Sequence, residues 1–156
     1  MLTIKGTVIN RSGGREFYSA SQVMNRHPKW KEFIRSISGW DKVEDGTLTL
    51  DECSPLPNVA LDQHVFLAKE PPPEHFFEGD QKYIDTMKER GGRRFYRGTA
   101  KSAHMSCAVL VSQQKRPACE HRLEVYAKCK LREVLNAETG DSIWVEIDSN
   151  QEPLKS

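Results

Sequence analysis

Apolar and polar positions alternate with a period of two from Leu2 to Asn10, and the β-branched content of that stretch predicts a strand. Arg11-Ser12-Gly13-Gly14-Arg15 then reads as a flexible basic loop, and Phe17 and Tyr18 open a short extended piece. From Ser21 the period becomes helical and restarts at Pro28, with Trp30, Phe33, Ile34 and Ile37 spaced for one buried face and Gly39 as the stop. Asp45-Gly46 makes a turn into Thr47-Leu48-Thr49-Leu50, a strand with two hydroxyls on one side and two leucines on the other. Val59 to Ala68 reads as a further strand. Glu70-Pro71-Pro72-Pro73-Glu74 can be neither helix interior nor central strand, so it predicts a surface loop. His75 to Arg90 reads as part of an insertion with a helical turn or two around Tyr83 to Lys88.

Gly91-Gly92 separates that insertion from a strand, Arg93 to Gly98, and Ala103 to Ser112 forms an apolar one. Gln113 to His121 reads as a loop. The run Leu123 to Ile147 then reads as strand, basic corner, short helix, Thr139-Gly140-Asp141 turn and strand. Leu131, Val134 and Leu135 share a helix face there, and Ile143, Val145 and Ile147 share a strand face. Many short strands with one or two short helices predict a mainly β fold, a small barrel decorated by helices. One domain over 1–148 is expected, with an insertion at about 71–90 and a polar, frayed tail at 149–156.

Composition narrows the function classes. The 156 residues carry 23 basic and 22 acidic side chains, a formal net charge of +1, so no global field attracts nucleic acid or an anionic membrane. The longest uncharged apolar run, Cys107 to Val111, is far short of a bilayer span. An alternating N-terminus without a signal-peptide core leads to the expectation of a cytoplasmic protein. Cys53, Cys107, Cys119 and Cys129 lack C-x-x-C spacing and read as reduced thiols, with Cys107 in the core. Cys119 and His121 are two ligands where a zinc site needs three or four. No Ser-His-Asp order, paired-carboxylate motif or Walker sequence is present.

Four features could carry chemistry. Glycines in the loop Arg11 to Arg15 would let backbone N–H groups approach phosphate, although such loops are more often hairpin turns. Thr47 and Thr49 could be oxygen ligands to a hard cation, or only the polar face of an exposed strand. Arg90 to Arg97 interleaves cations with Phe95 and Tyr96 as single-strand binders do, but a turn opening a strand with exposed charges is favoured over nucleic-acid binding. Last, Lys128, Lys130 and Arg132 crowd the place where a strand yields to a helix. That corner suits an anion, and it equally suits a solvated basic surface. Glu124 lies just upstream, with side-chain parity opposite to Leu123 and Val125.

In their order these pieces resemble the archaeal-type CTP-dependent riboflavin kinases, a cradle-loop barrel family. The resemblance runs from Lys5 to Ile147 outside the insertion, and its most specific parts are Gly46-Thr47-Leu48 and Leu123-Glu124-Val125 through Lys130-Leu131-Arg132-Glu133. It implies a small six-stranded cradle-loop barrel that transfers the terminal phosphate of CTP, or another nucleoside triphosphate, to riboflavin, giving FMN. It implies nucleotide contacts from Asn10, Arg11, Ser12, Gly13, Gly14 and Arg15 and from Cys129, Lys130, Leu131 and Arg132. Nucleotide-associated Mg2+ would fall to Thr47 and Thr49, and flavin contacts to Arg116 and Glu124, with Glu124 the least implausible base. The chain departs from the family pattern at Asn10 and Ser12, where glycines are usual, at Thr49 for asparagine, at Arg116 for threonine and at Lys128 for proline. Those departures keep two alternatives open, a non-catalytic nucleotide- or flavin-binding module on the same barrel and a nucleic-acid-binding barrel. Nucleotide and flavin are the partners expected, with no membrane.

Overall fold

The computed structural model describes residues 2–9, 27–90, 92–149 and 151–152. Among the described residues there are seven strands: β1 (Leu2–Ile9), β2 (Leu48–Ser54), β3 (Ala68–Lys69), β4 (Arg93–Lys101), β5 (Ser106–Gln114), β6 (Leu123–Tyr126) and β7 (Ser142–Ile147). Helices are α1 (Pro28–Ser38), α2 (Pro57–Ala60), α3 (Gln81–Arg90) and α4 (Leu131–Val134). Six strands close into an antiparallel barrel in the order β1-β2-β6-β5-β4-β7, with β7 pairing back to β1. Short β3 lies outside the ring, on the opening residues of β4. The fold is therefore the mainly β barrel that the alternation predicts.

Alternation explains the interior. Ile4 and Val8, Leu48 and Leu50, Val109 and Val111, Leu123 and Val125, and Ile143, Val145 and Ile147 all point inward and are buried. Two glycines let strands approach closely. A Cβ on Gly98 would sit 2.4 Å from the Glu146 carbonyl oxygen across the β4–β7 seam, and one on Gly6 would meet Leu50 Cβ and Cys53 Sγ at 2.8 Å. The seams that close the barrel thus depend on missing side chains.

A second apolar cluster covers the outer face. Phe95, Leu110 and Tyr126 project from the barrel wall and meet Trp30, Ile34 and Ile37 of α1 together with Phe76, Phe77, Tyr83, Ile84 and Met87. Gly39 ends α1 in the left-handed region at φ 75, as the sequence suggested. Residues 75–90, read as an insertion, are therefore a packed wall of this second core. Ser21 to Arg26 and the Phe17-Tyr18 piece lie outside the described residues.

Several expectations are corrected. Val59 to Ala68 is not a strand: Pro57 opens α2, a 3-10 turn follows over Leu61–Gln63, and only Ala68–Lys69 pairs. Pro57 sits in the first helical turn, where a fixed φ and a missing N–H cost nothing. Val59 and Val65 stay exposed, while Leu61 is drawn into the barrel core. Gln113, expected in a loop, is fully buried on β5; its Nε2 donates to Pro57 O at 3.3 Å, and its Oε1 lies 3.2 Å from the Tyr96 hydroxyl. The apolar strand begins at Ser106 rather than Ala103. Glu70, at the head of the proline loop, is buried. Cys107 is half-buried against the core rather than within it. The tail does not fray at once, because the Gln151 side chain accepts from Arg97 N–H at 3.0 Å and donates to Arg97 O at 2.8 Å.

Candidate functional site

The basic corner forms because β6 ends at Tyr126 and Leu131 and Leu135 must turn back into the barrel core. Lys130, extended at φ −68 and ψ 105, precedes α4 and stays exposed, and Arg132 is half-buried. Helix α4 is a single turn of four residues, so its macrodipole is small and the field here comes from side chains. Two contacts bolt the corner to the chain before β2. Glu44 N–H donates to Ala127 O at 2.9 Å, and Lys128 Nζ lies 3.3 Å from the Asp41 carboxylate, which holds that exposed acid below its ordinary pKa.

Between these two segments lies a cavity of about 320 Å³. Glu44, Gly46, Thr47 and Leu48 form one side and Lys130 to Glu133 the other. The fold thus brings Thr47 to Lys130 and Arg132, residues far apart in the chain. Arg132 also donates to Ile9 O at 3.2 Å and to Thr139 Oγ1 at 3.1 Å. Ile9 is the last described residue before the basic loop, and Asn10, Arg11, Ser12, Gly13, Gly14 and Arg15 lie outside the described residues. Cys129 does not line the cavity.

Thr47, expected on the strand with Thr49, precedes β2, and Thr49 opens into a different space. Thr49 pairs with Glu124 across β2–β6, and Glu124 with Ser112 across β6–β5, making a polar row on the outer wall. Arg93, Gln114, Cys119 and Arg122 complete a cavity of about 20 Å³, room for one water. Arg116 is exposed on the neighbouring 3-10 turn and does not line it. The two threonines are therefore in separate cavities, and Glu124 and Arg116 are not brought into one.

Glu124 belongs to a polar chain that the sequence did not announce. Arg93 Nη1 lies 3.4 Å from the Tyr126 hydroxyl, which donates to Glu124 Oε1 at 2.8 Å. Trp30 lies under the guanidinium, at 5.8 Å from its ring centre. Burial opposes the Arg93 charge, but Glu124, Tyr126, Glu70 and Tyr83 around it outweigh burial and keep it protonated. Burial, and next the Glu124 charge, push the Tyr126 phenol well above its ordinary range. Glu70 is 8% exposed and its Oε1 has no hydrogen-bond partner; burial raises its carboxyl more than nearby Arg93 lowers it. One signal for this chain was available. Arg93 and Tyr126 have outward parity on strands whose outer neighbours are aromatic, so a cation and a phenol there must find partners.

Arg94 and Arg97 of the arginine-rich stretch are also engaged within the fold. Gly92, at φ 80, opens β4, and Arg94 lies 5.0 Å from the Phe66 ring centre and 3.9 Å from Asp62. Arg97 donates to Ile37 O at 3.2 Å. Among the described residues no group of three or more His, Cys, Asp and Glu could hold a metal ion, and no helix is long and apolar enough to cross a membrane. No family model matches the chain, and no curated protein matches it.

Proposed function

We propose that this protein is a riboflavin kinase-like phosphotransferase that binds a nucleoside triphosphate, CTP by resemblance, at the cavity between Thr47 and Lys130. The observation that carries this reading is the convergence of Gly46-Thr47-Leu48 with Lys130-Leu131-Arg132 around about 320 Å³, with Arg132 donating to the carbonyl oxygen of Ile9, the last described residue before Asn10. Those are the segments whose motifs carry the resemblance.

Phosphoryl transfer asks the protein for positioning and charge neutralisation more than for covalent chemistry. Lys130 and Arg132 supply cations to phosphate oxygens, Lys130 as a mobile point charge and Arg132 as a held fork. The Thr47 hydroxyl and the Glu44 and Glu133 carboxylates give the cavity oxygen donors that suit magnesium. Thr47 would hold the ion, while Thr49 opens into the separate space beside Glu124. Magnesium, when bound, neutralises and aligns the phosphates. Glu124, held by Tyr126, would accept from the ribityl hydroxyls of riboflavin.

The test is turnover. Protein, riboflavin and magnesium are mixed with each of the four ribonucleoside triphosphates, and FMN is measured. Formation of FMN with one donor supports the reading, and its absence with all four overturns it. One observation favours a second reading, a non-catalytic nucleotide-binding module: the space beside Glu124 holds about 20 Å³, too little for a flavin ring. CTP binding by calorimetric titration without FMN formation would select that reading.

A further inference from the structure

Cys107 and Cys129 are distant in sequence and adjacent in space. Cys107 is on β5 and Cys129 in the bend that leaves β6, three residues past the last β5–β6 pair, Leu110–Tyr126. Their Sγ atoms are 3.9 Å apart. Both side chains are half-buried and within reach of a small oxidant, whereas Cys53 and Cys119 are buried.

We propose that Cys107 and Cys129 are a reversibly oxidisable dithiol whose disulfide ties β5 to the basic corner and alters how Lys130 meets an anion. The dithiol stands on the sulfur geometry; its effect on ligand binding rests on the nucleotide reading of that corner. The oxidant is taken as hydrogen peroxide. One thiolate attacks a peroxide oxygen, the O–O bond breaks, and a sulfenic acid and one water result. The second thiolate then attacks that sulfur, forming the S–S bond and expelling the oxygen as a second water. Two thiols thus lose two electrons and two protons, and peroxide becomes two waters.

Burial, and next Cys129, push the Cys107 thiol up to about 11, so thiolate is scarce at neutral pH and oxidation is slow. Closing the sulfurs from 3.9 Å to a bond of about 2.05 Å draws Cys129 toward β5. Lys130 follows directly, and the Glu44 to Ala127 bond carries the shift to the Thr47 side.

The full chain is treated with hydrogen peroxide, digested without reduction and mapped by mass spectrometry. The expected product joins the Cys107 and Cys129 peptides, lacks two hydrogen atoms and is cleaved by dithiothreitol, while Cys53 and Cys119 remain free thiols. Sulfonic acids without a cross-link, or cross-links scattered over all four cysteines, overturn the proposal. Calorimetric titration with CTP then reads the coupling: the oxidised protein should bind about fivefold or more weakly, as site couplings of ordinary size do. Dithiothreitol should restore binding, and peroxide should have no effect on Cys107→Ser, whose thermal melt is checked against the wild type. Unchanged affinity in fully cross-linked protein overturns the coupling. If the reduced protein binds no CTP, the nucleotide reading fails while the peptide map still decides the dithiol.

Discussion

Tyr126 donates a hydrogen bond of 2.8 Å to the carboxylate of Glu124, its neighbour two residues back on the outer face of β6. Tyr126 is itself buried, against Phe95 and beside Arg93, so the bond joins the second apolar core to the polar row of Thr49, Glu124 and Ser112. Tyr126→Phe keeps the ring and removes both the bond to Glu124 and the longer, weaker one accepted from Arg93 Nη1. We expect a loss of about 1–2 kcal/mol, toward the lower end for bonds to charged groups because Glu124 is half-exposed. Urea unfolding should show a lower midpoint at unchanged slope.

Glu70 has the opposite character, a carboxyl that burial holds above its ordinary pKa. For a group with a raised folded-state pKa, the folded state binds the proton more tightly than the unfolded one. Its contribution is then fully present below the unfolded value near 4.5 and lost as pH rises through the folded pKa. Glu70→Gln removes that loss. Thermal melts should show the variant gaining on the wild type as pH climbs from 4 toward 7. A constant difference across that range would refute the assignment of Glu70 as a buried, proton-favouring carboxyl.

What could be read from the chain depends on whether one local pattern decided the outcome. In β7 it did: Ile143, Val145 and Ile147 alternate after a Gly140-Asp141 turn, and all three are in the barrel core. Residues 59–68, expected as a strand, are not one because Pro57 sets a helical start and Leu61 is taken by the barrel. Tyr83, Ile84 and Met87 have ordinary helical spacing, but that they cover Phe95 and Leu110 depends on the fold of a distant β4–β5 hairpin. The site divides in the same way. The pairing of Thr47 with Lys130 followed from motif order, whereas the Arg93–Tyr126–Glu124 chain joins strands whose register no short motif encodes.

Barrel closure makes a separate prediction. Gly98 faces Ile147 on β7, and a Cβ there would meet the Glu146 carbonyl oxygen at 2.4 Å, a backbone atom that cannot turn aside. Gly98→Ala should therefore cost about 3 kcal/mol, the upper end for overpacking. Gly46→Ala is the control, since no atom lies within 4 Å of its Cβ position and its stability should change little or rise slightly. Calorimetric melts of the two variants distinguish a seam effect from a general intolerance of added methyl groups.

Lys130 is exposed on the cavity wall, and the core-facing residue beside it is Leu131. Lys130→Ala should leave the melting temperature within a degree or two of wild type, since surface substitutions change stability by about half a kcal/mol or less. Its effect should fall on the anion: CTP affinity should drop about tenfold, the loss of one charge-assisted contact. Isothermal titration at two salt concentrations checks this, with a shallower salt dependence in the variant.

Thr47 precedes β2 and Thr49 lies on it, and the two open into separate cavities, which separates their expected roles. Thr47 stands among Glu44, Glu133, Lys130 and Arg132, where magnesium on a triphosphate would be held, so Thr47→Ala should abolish FMN formation. Thr49 lies opposite Glu124, and asparagine there supplies a longer oxygen donor without adding charge. Thr49→Asn should therefore preserve activity, because Thr49 does not line the cavity that holds Thr47. Initial rates across a magnesium titration measure both variants. Full and equal activity in the two would remove Thr47 from the metal site.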